Sequence, residues 1–149
     1  MKRRHSVIRG VLSAFLLLLS GCFSTSTFVK SVNPNWAGIT VRADQTYDQA
    51  WDATADYLVK RFDMDLLSRT DGYLRTHWLY TWKGEYDKKY RVRVALKFSA
   101  DRKTLEIKTE AQKGGENKWV LGYDTQLRES IRAELTDLIG IPAGTGAAK

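Results

Sequence analysis

The sequence predicts an α+β fold in two layers, a mostly antiparallel five-stranded sheet with two helices on one face. Two segments carry apolar residues at helical spacing, and several others alternate between apolar and polar residues. Clean alternation indicates a sheet with one face on the core and one in water, so both helices must cover the same face. The predicted order is β-α-β-β-β-β-α, within a single domain at residues 39–140.

The domain is predicted to begin with a strand over Ile39–Ala43 and a helix after it. Thr46 and Gln49 fit a capping box, in which each side chain satisfies a free backbone N–H at the start of a helix. One face of this helix is apolar at the expected spacing, with Tyr47, Ala50, Trp51, Thr54, Leu58 and Phe62.

Two strands are predicted next, joined by a hairpin turn at Asp71-Gly72. The first is Met64–Ser68. The second is long, Leu74–Trp82, and its period of two directs one set of side chains to the core: Leu74, Thr76, Trp78, Tyr80 and Trp82.

The remaining elements follow a charged loop over residues 83–89. Strands are predicted over Val92–Phe98 and Leu105–Thr109, with a turn at residues 100–103 and a loop at residues 112–118. The last helix should begin at Asp124 or Thr125 and end at Ile139, with the apolar stripe Leu127, Ile131, Leu135, Leu138 and Ile139. We expect Gly140 to adopt the left-handed conformation after this helix, and Pro142 to prevent its continuation.

Residues 1–21 have the layout of a secretory signal peptide. Four basic residues precede an apolar run at residues 11–19, which is too short to span a bilayer as a helix. The next residues, Leu19-Ser20-Gly21-Cys22, resemble the lipobox of bacterial lipoproteins. An ordinary signal peptide with a chance cysteine is the alternative.

The lipobox resemblance implies cleavage between Gly21 and Cys22 and attachment of diacylglycerol to Cys22, with palmitate or a similar acyl chain on its amine. Because residue 23 is phenylalanine rather than aspartate, it also implies the periplasmic face of the outer membrane in a Gram-negative cell. Residues 22–38 are then the lipidated cysteine and a flexible tether, and we expect residues 141–149 to be a disordered tail.

A second resemblance rests on three segments: Tyr47–Trp51 opening a helix, Asp71–Trp78 opening a strand, and Tyr90–Val94. They resemble the helix-grip domain of the C lipoprotein of the outer-membrane β-barrel assembly machinery and of related small envelope lipoproteins. The resemblance implies a helix-grip fold over residues 39–139 and a place in envelope biogenesis.

Composition argues against several classes of function. The net charge is +7, but four of the 24 basic residues and none of the 17 acidic ones precede Cys22, so the mature chain carries +3. This is a weak charge for a nucleic-acid partner. His77 is the one histidine after residue 21 and Cys22 is the one cysteine, so we expect no His/Cys metal site, no cofactor and no enzymatic activity. A carboxylate enzyme using Asp63 and Asp65 is the remaining catalytic alternative.

The polar face of the sheet is the surface predicted to bind a partner. Basic residues expected there are Arg42, Arg75, His77, Arg91, Arg93, Lys97 and Lys108, against Glu106 and Glu110. We select Arg75, Arg91, Arg93 and Lys97, together with Tyr86 in the charged loop, as candidate contacts with another envelope protein. The alternative is a solvated face with cross-strand ion pairs.

Other aromatic residues admit two interpretations. Trp82, Tyr90 and Trp119 could cap the ends of the core or anchor an interface, and core capping is expected for Trp119 and Tyr123. The predicted function is therefore a membrane-anchored, non-enzymatic interaction module. A periplasmic carrier of lipid or lipopolysaccharide, or an interaction with anionic lipid, remains open.

Overall fold

The computed structural model describes residues 27–33, 36–115 and 118–141. The predicted signal peptide, its Gly21–Cys22 cleavage site and the lipidation site Cys22 lie outside these residues, as do Pro142 and the rest of the tail. The described chain forms two helices and seven strands: β1 (Phe28–Lys30), β2 (Ala37–Thr40), α1 (Tyr47–Val59), β3 (Met64–Ser68), β4 (Tyr73–Thr76), β5 (Tyr90–Phe98), β6 (Thr104–Lys113), β7 (Val120–Asp124) and α2 (Thr125–Ile139).

All seven strands belong to one sheet with the order β1-β7-β6-β5-β4-β3. β2 pairs with the first half of β6, on the same side as β7, and all pairs are antiparallel. The two-layer α+β class is therefore confirmed, but the predicted count of five strands is wrong because β1 and β7 were not predicted. β1 has three residues and β7 contains Gly122, so neither shows clear alternation.

Both helices bury their apolar stripes on the same face of the sheet. α1 begins with the predicted capping box, in which Thr46 and Gln49 each accept a backbone N–H bond from the other. The core joins Leu58 of α1 and Leu135 of α2 to the alternating apolar residues of β5 and β6, all of which are fully or almost fully buried: Val92, Val94, Leu96, Phe98, Leu105 and Ile107. This packing leaves the other side of the sheet, here called the outer face, free of helices.

The predicted long strand Leu74–Trp82 is wrong beyond Thr76. The Thr76 hydroxyl takes the place of a backbone acceptor by bonding the Val94 amide at 3.0 Å, and β4 ends there. The chain rejoins β5 at Leu79, whose N–H and C=O both bond Val92. Leu79 therefore packs against the core, and the alternation is shifted by one residue relative to the prediction.

The segment expected to be a tether contributes to the sheet. β1 pairs with β7 from Phe28 to Lys30, and β2 begins at Ala37 and ends at Thr40 instead of spanning Ile39–Ala43. The expected left-handed Gly140 is also wrong: its φ is −95°. The reason is that the chain leaves α2 in an extended conformation along β2, where Ile141 N–H bonds Thr40 O at 3.0 Å.

Candidate functional site on the outer face of the sheet

The four cations selected from the sequence all lie on the outer face. Arg91, Arg93 and Lys97 alternate along β5 with buried core residues. Arg75, in β4, lies opposite Ala95 of β5. Alternation in a strand that is half in the core placed them correctly. His77 follows the end of β4 and is exposed.

Arg91 is the outer-face cation with the most aromatic neighbours. Its guanidinium lies 4.7 Å from the ring centroid of Trp78 and 4.4 Å from that of Trp119. Its Nε donates to Gln112 Oε1 at 2.7 Å, and its Nη1 donates to the Tyr80 hydroxyl at 2.7 Å. These bonds and ring contacts fix the side chain, while no carboxylate among the described residues forms an ion pair with it.

Arg93 continues the same row of rings and charges across the sheet. Its guanidinium lies 4.5 Å from the Trp78 centroid and its Nε donates to Glu110. Lys108 pairs with Glu110 at 3.1 Å and its ammonium lies 5.7 Å from the Trp36 ring. Partial burial would raise the pKa of Glu110, but hydrogen bonds from the two cations hold that pKa below its ordinary value.

Cross-strand ion pairs, the alternative interpretation of this face, account for some of the cations. Arg93 pairs with Glu110, and Arg75 donates to Asp65 at 2.7 Å. Asp65 is thus held by an arginine, and Asp63 is exposed with its carbonyl accepting the His77 amide. Arg91 and Lys97 have no such pair within the described part of the chain, so the face is only partly neutralised.

Tyr86 extends the row into the loop between β4 and β5. Its ring stacks on Tyr80 with centroids 5.7 Å apart, and 70% of the residue is exposed. We call the whole set the aromatic–arginine cluster: Trp36, Trp78, Tyr80, Tyr86, Arg91, Arg93 and Trp119. Tryptophan, tyrosine and arginine are the residues that carry most binding energy in protein interfaces.

Sequence reasoning missed most of the aromatic members. Trp78 and Tyr80 were predicted to face the core, and Trp119 to cap it, but all three contact Arg91 on the outer face. Leu79, the one aliphatic residue between Thr76 and Trp82, was the available signal that the alternation changes phase. Trp82 packs against the core, and Tyr90 is buried in it.

Tyr123, the other expected core cap, does not pack against the core either. Its ring packs under the Arg128 guanidinium at 4.7 Å, and the residue is half-buried. Leu121 of the same strand is 47% exposed and lies opposite Gln112. The margin of the cluster is therefore partly apolar.

A buried polar network links the first described residue to the sheet and to α2. The Asp124 carboxylate accepts hydrogen bonds from the Thr27 hydroxyl at 2.6 Å, from the Leu127 amide at 3.0 Å and from the Tyr90 hydroxyl. Burial would raise the pKa of Asp124, but these three donors hold that pKa below its ordinary value. Burial and the adjacent carboxylate raise the pKa of Tyr90.

Within the described residues there is neither a candidate membrane span nor a candidate metal site. No helix there is long and apolar enough to cross a membrane. No group of three or more His, Cys, Asp or Glu side chains there is arranged to hold a metal ion. Comparison of the chain with protein-family models and with curated proteins finds no match.

Proposed function

We propose that this protein is a lipid-anchored envelope lipoprotein that binds another envelope protein through the aromatic–arginine cluster. The lipobox ending at Cys22 supports anchoring at the periplasmic face of the outer membrane. The cluster supports protein binding, and its central observation is Arg91 held between Trp78 and Trp119 without a paired carboxylate among the described residues.

The physical argument concerns the cost of binding. A side chain that is already fixed loses little conformational entropy when a partner covers it. Arg91 is fixed by two hydrogen bonds and two rings, yet its charge is not neutralised by a described carboxylate. A partner that brings a carboxylate or a carbonyl to Arg91 therefore gains a charge-assisted hydrogen bond, and the Arg91 side chain loses little conformational entropy.

Site-specific photo-crosslinking in intact cells tests the binding face. A photoreactive phenylalanine analogue at Tyr86 is expected to capture one envelope protein, whereas the same analogue at Lys60, the exposed residue directly after α1, should not capture it. Arg91→Ala should reduce the cross-link at least tenfold, and Arg132→Ala, the matched change on α2, should leave it intact. Equal capture from both positions, or no effect of Arg91→Ala, would refute the proposed face.

Lipid anchoring has an independent test. The membrane-extracted protein should have the intact mass of a chain that starts at Cys22 and carries acyl chains, and Cys22→Ala should abolish this mass. An unmodified mass in the unaltered protein would refute the anchor without bearing on the cluster.

The carrier alternative would place a lipid between the sheet and the helices. In the described domain that space holds fully buried side chains from both layers, among them Leu58, Phe98, Ile131 and Leu135. A recess of about 440 Å³ between α1 and α2 opens to solvent and is lined partly by charged residues, including Arg61 and Glu134. The interaction module is therefore the function we propose.

A further inference from the structure

Five lysines gather at one end of the sheet. β5 begins and β6 ends there, and the loop at residues 81–89 meets residues 114–115 and 118–119 beside them, with Gly114 N–H bonding Lys89 O at 2.8 Å. We call this set the lysine end: Lys83, Lys88, Lys89, Lys113 and Lys118. The turn at residues 100–103 lies at the opposite end of the same two strands.

The lysine end is not neutralised by neighbouring carboxylates of the described chain. Ten ion pairs join described residues, and none of them includes these five lysines. Asp87 and Glu85 lie in the same loop, and Asp87 Oδ1 accepts the backbone amide of Lys89 at 2.8 Å. Among the described residues of these loops and strand ends, the five lysines therefore outnumber the two carboxylates, Glu85 and Asp87.

The lysines surround two adjoining recesses. One, of about 340 Å³, is lined by three lysines and one carboxylate beside two rings and a glycine: Lys83, Lys89, Lys113, Asp87, Phe28, Tyr90 and Gly114. The Lys83 ammonium lies 4.7 Å from the Tyr90 ring centroid. The other, of about 300 Å³, is lined by Lys88, Lys89, Gly114 and Gly115. Ammonium groups around an open recess suit the oxygens of a phosphate group.

The path of the chain brings this end close to the predicted anchor. Thr27 is held beside Tyr90 through Asp124, and its carbonyl accepts the Thr125 amide at 2.9 Å. Cys22 is five residues before Thr27, a distance of at most about 17 Å in an extended chain. The link between lipid and folded domain is thus much shorter than a tether reaching to Gly38.

We propose that the lysine end binds the phosphate groups of anionic lipid headgroups in the membrane that holds Cys22. This inference rests on the proposed lipoprotein function. Near an anionic surface each lysine strengthens membrane association roughly fivefold, and the attraction falls within about 8–10 Å at physiological salt. The contact would set the strands at a steep angle to the membrane and leave the outer face open to a partner.

The test measures which end of the domain lies near the membrane. The lipidated protein is reconstituted in vesicles, and a bimane label is attached to Thr81→Cys, next to the lysine end, or to Ala100→Cys, at the opposite end. Nitroxide on lipid headgroups quenches a label that is close to the surface. We expect at least threefold stronger quenching of the Thr81 label than of the Ala100 label when phosphatidylglycerol is present, and a clearly smaller ratio in phosphatidylcholine alone, where only the short link to Cys22 holds this end near the surface.

Two triple variants distinguish the effect of charge at the lysine end from the effect of the protein's total charge. Lys83→Gln, Lys89→Gln and Lys113→Gln together should abolish the increase in the quenching ratio that phosphatidylglycerol causes. Lys60→Gln, Lys103→Gln and Arg132→Gln remove the same charge elsewhere and should preserve it. Inorganic phosphate should have no more effect than sodium chloride at equal ionic strength; a larger effect would identify a free-phosphate site and overturn the headgroup contact.

The failure of this inference is distinguishable from failure of the proposed function. Flotation of the unlabelled protein with the vesicles reports the anchor alone. Suppose that the protein floats, but that label quenching does not depend on lipid charge or does not change with the three lysine substitutions. This result overturns the lysine contact and leaves the anchor in place. Protein that does not float overturns both.

Discussion

Asp124 is the residue whose loss should most clearly separate the folded domain from its N-terminal strand. It is completely buried at the junction of β7 and α2. Its carboxylate accepts hydrogen bonds from the start of α2, from Tyr90 and from Thr27. Replacing it with alanine removes the N-cap of α2 and leaves the buried Tyr90 hydroxyl without its acceptor.

The expected cost follows from these contacts. An N-cap contributes about 1 kcal/mol to the free energy of unfolding. Losing a hydrogen bond to a charged group lowers the free energy of unfolding by roughly 1.5–3 kcal/mol when the other partner stays buried without a new acceptor. Asp124→Ala should therefore lower the free energy of unfolding by about 2.5–4 kcal/mol, and Tm by roughly 10–20 °C for a domain of this size.

Urea unfolding of the alanine variant measures this cost, with Asp137→Ala as the matched control. Asp137 is exposed on α2 and forms no ion pair with another described residue, so its substitution should change the free energy of unfolding by less than about 0.5 kcal/mol. A double-mutant cycle with Tyr90→Phe should give a coupling energy of about 1 kcal/mol or more. Equal costs for the two alanine variants would refute the reasoning.

Asparagine at position 124 tests the role of charge. The folded pKa of Asp124 lies below its ordinary value of 3.8, so its stabilisation is present at neutral pH and is lost as the pH falls from that value through the folded pKa. Asp124→Asn should keep the N-cap but reduce the slope of stability against pH in this acidic range. Hydrogen exchange should also show β1 opening more readily than β5 in this variant.

Three other substitutions have defined outcomes. Thr46→Ala breaks the capping box of α1 and should lower the free energy of unfolding by about 1 kcal/mol in urea, whereas Thr46→Ser should restore it. Gly122→Ala would place a Cβ against the Val29 carbonyl oxygen and should speed hydrogen exchange of β1, unlike Gly38→Ala, whose Cβ would meet only a Thr104 methyl at 3.3 Å. Glu110→Gln should weaken the domain by about 1 kcal/mol at pH 7, and progressively less as the pH falls from 4.5 through the depressed folded pKa of Glu110, because the stabilisation belongs to the ionised form.

The parts of the fold that the sequence predicted are those in which local signals agree. α1 has both a capping box and a helical stripe, and β5 alternates between buried apolar residues and outward cations, with Ala95 as the one outward residue that is not charged. β1 and β7 have neither signal. Their pairing depends on Gly122, which lets the Phe28 ring and the Val29 carbonyl approach the β7 backbone closely, and a contact between residues so distant in sequence is not visible in either segment alone.

For a related reason, the sequence predicted the arginines of the candidate site but missed most of its aromatic rings. Its arginines lie on regular β5, so alternation found them, but its rings lie where the chain departs from regular β4. The Thr76 hydroxyl ends that strand by bonding the Val94 amide. After it the alternation of side chains is shifted by one residue, which moves Trp78 and Tyr80 from the core to the outer face. Hydrogen bonding by a single side chain thus decided the composition of the site.

The position of Arg91 joins the two surfaces proposed for this protein. It is the second residue of β5, so the richest part of the aromatic–arginine cluster lies next to the lysine end. A partner bound to Arg91 would then be close to the membrane surface. We therefore expect the protein captured through Tyr86 to be a membrane protein, recovered in the membrane fraction after a high-salt wash; a partner released by that wash as a soluble periplasmic protein would contradict this arrangement.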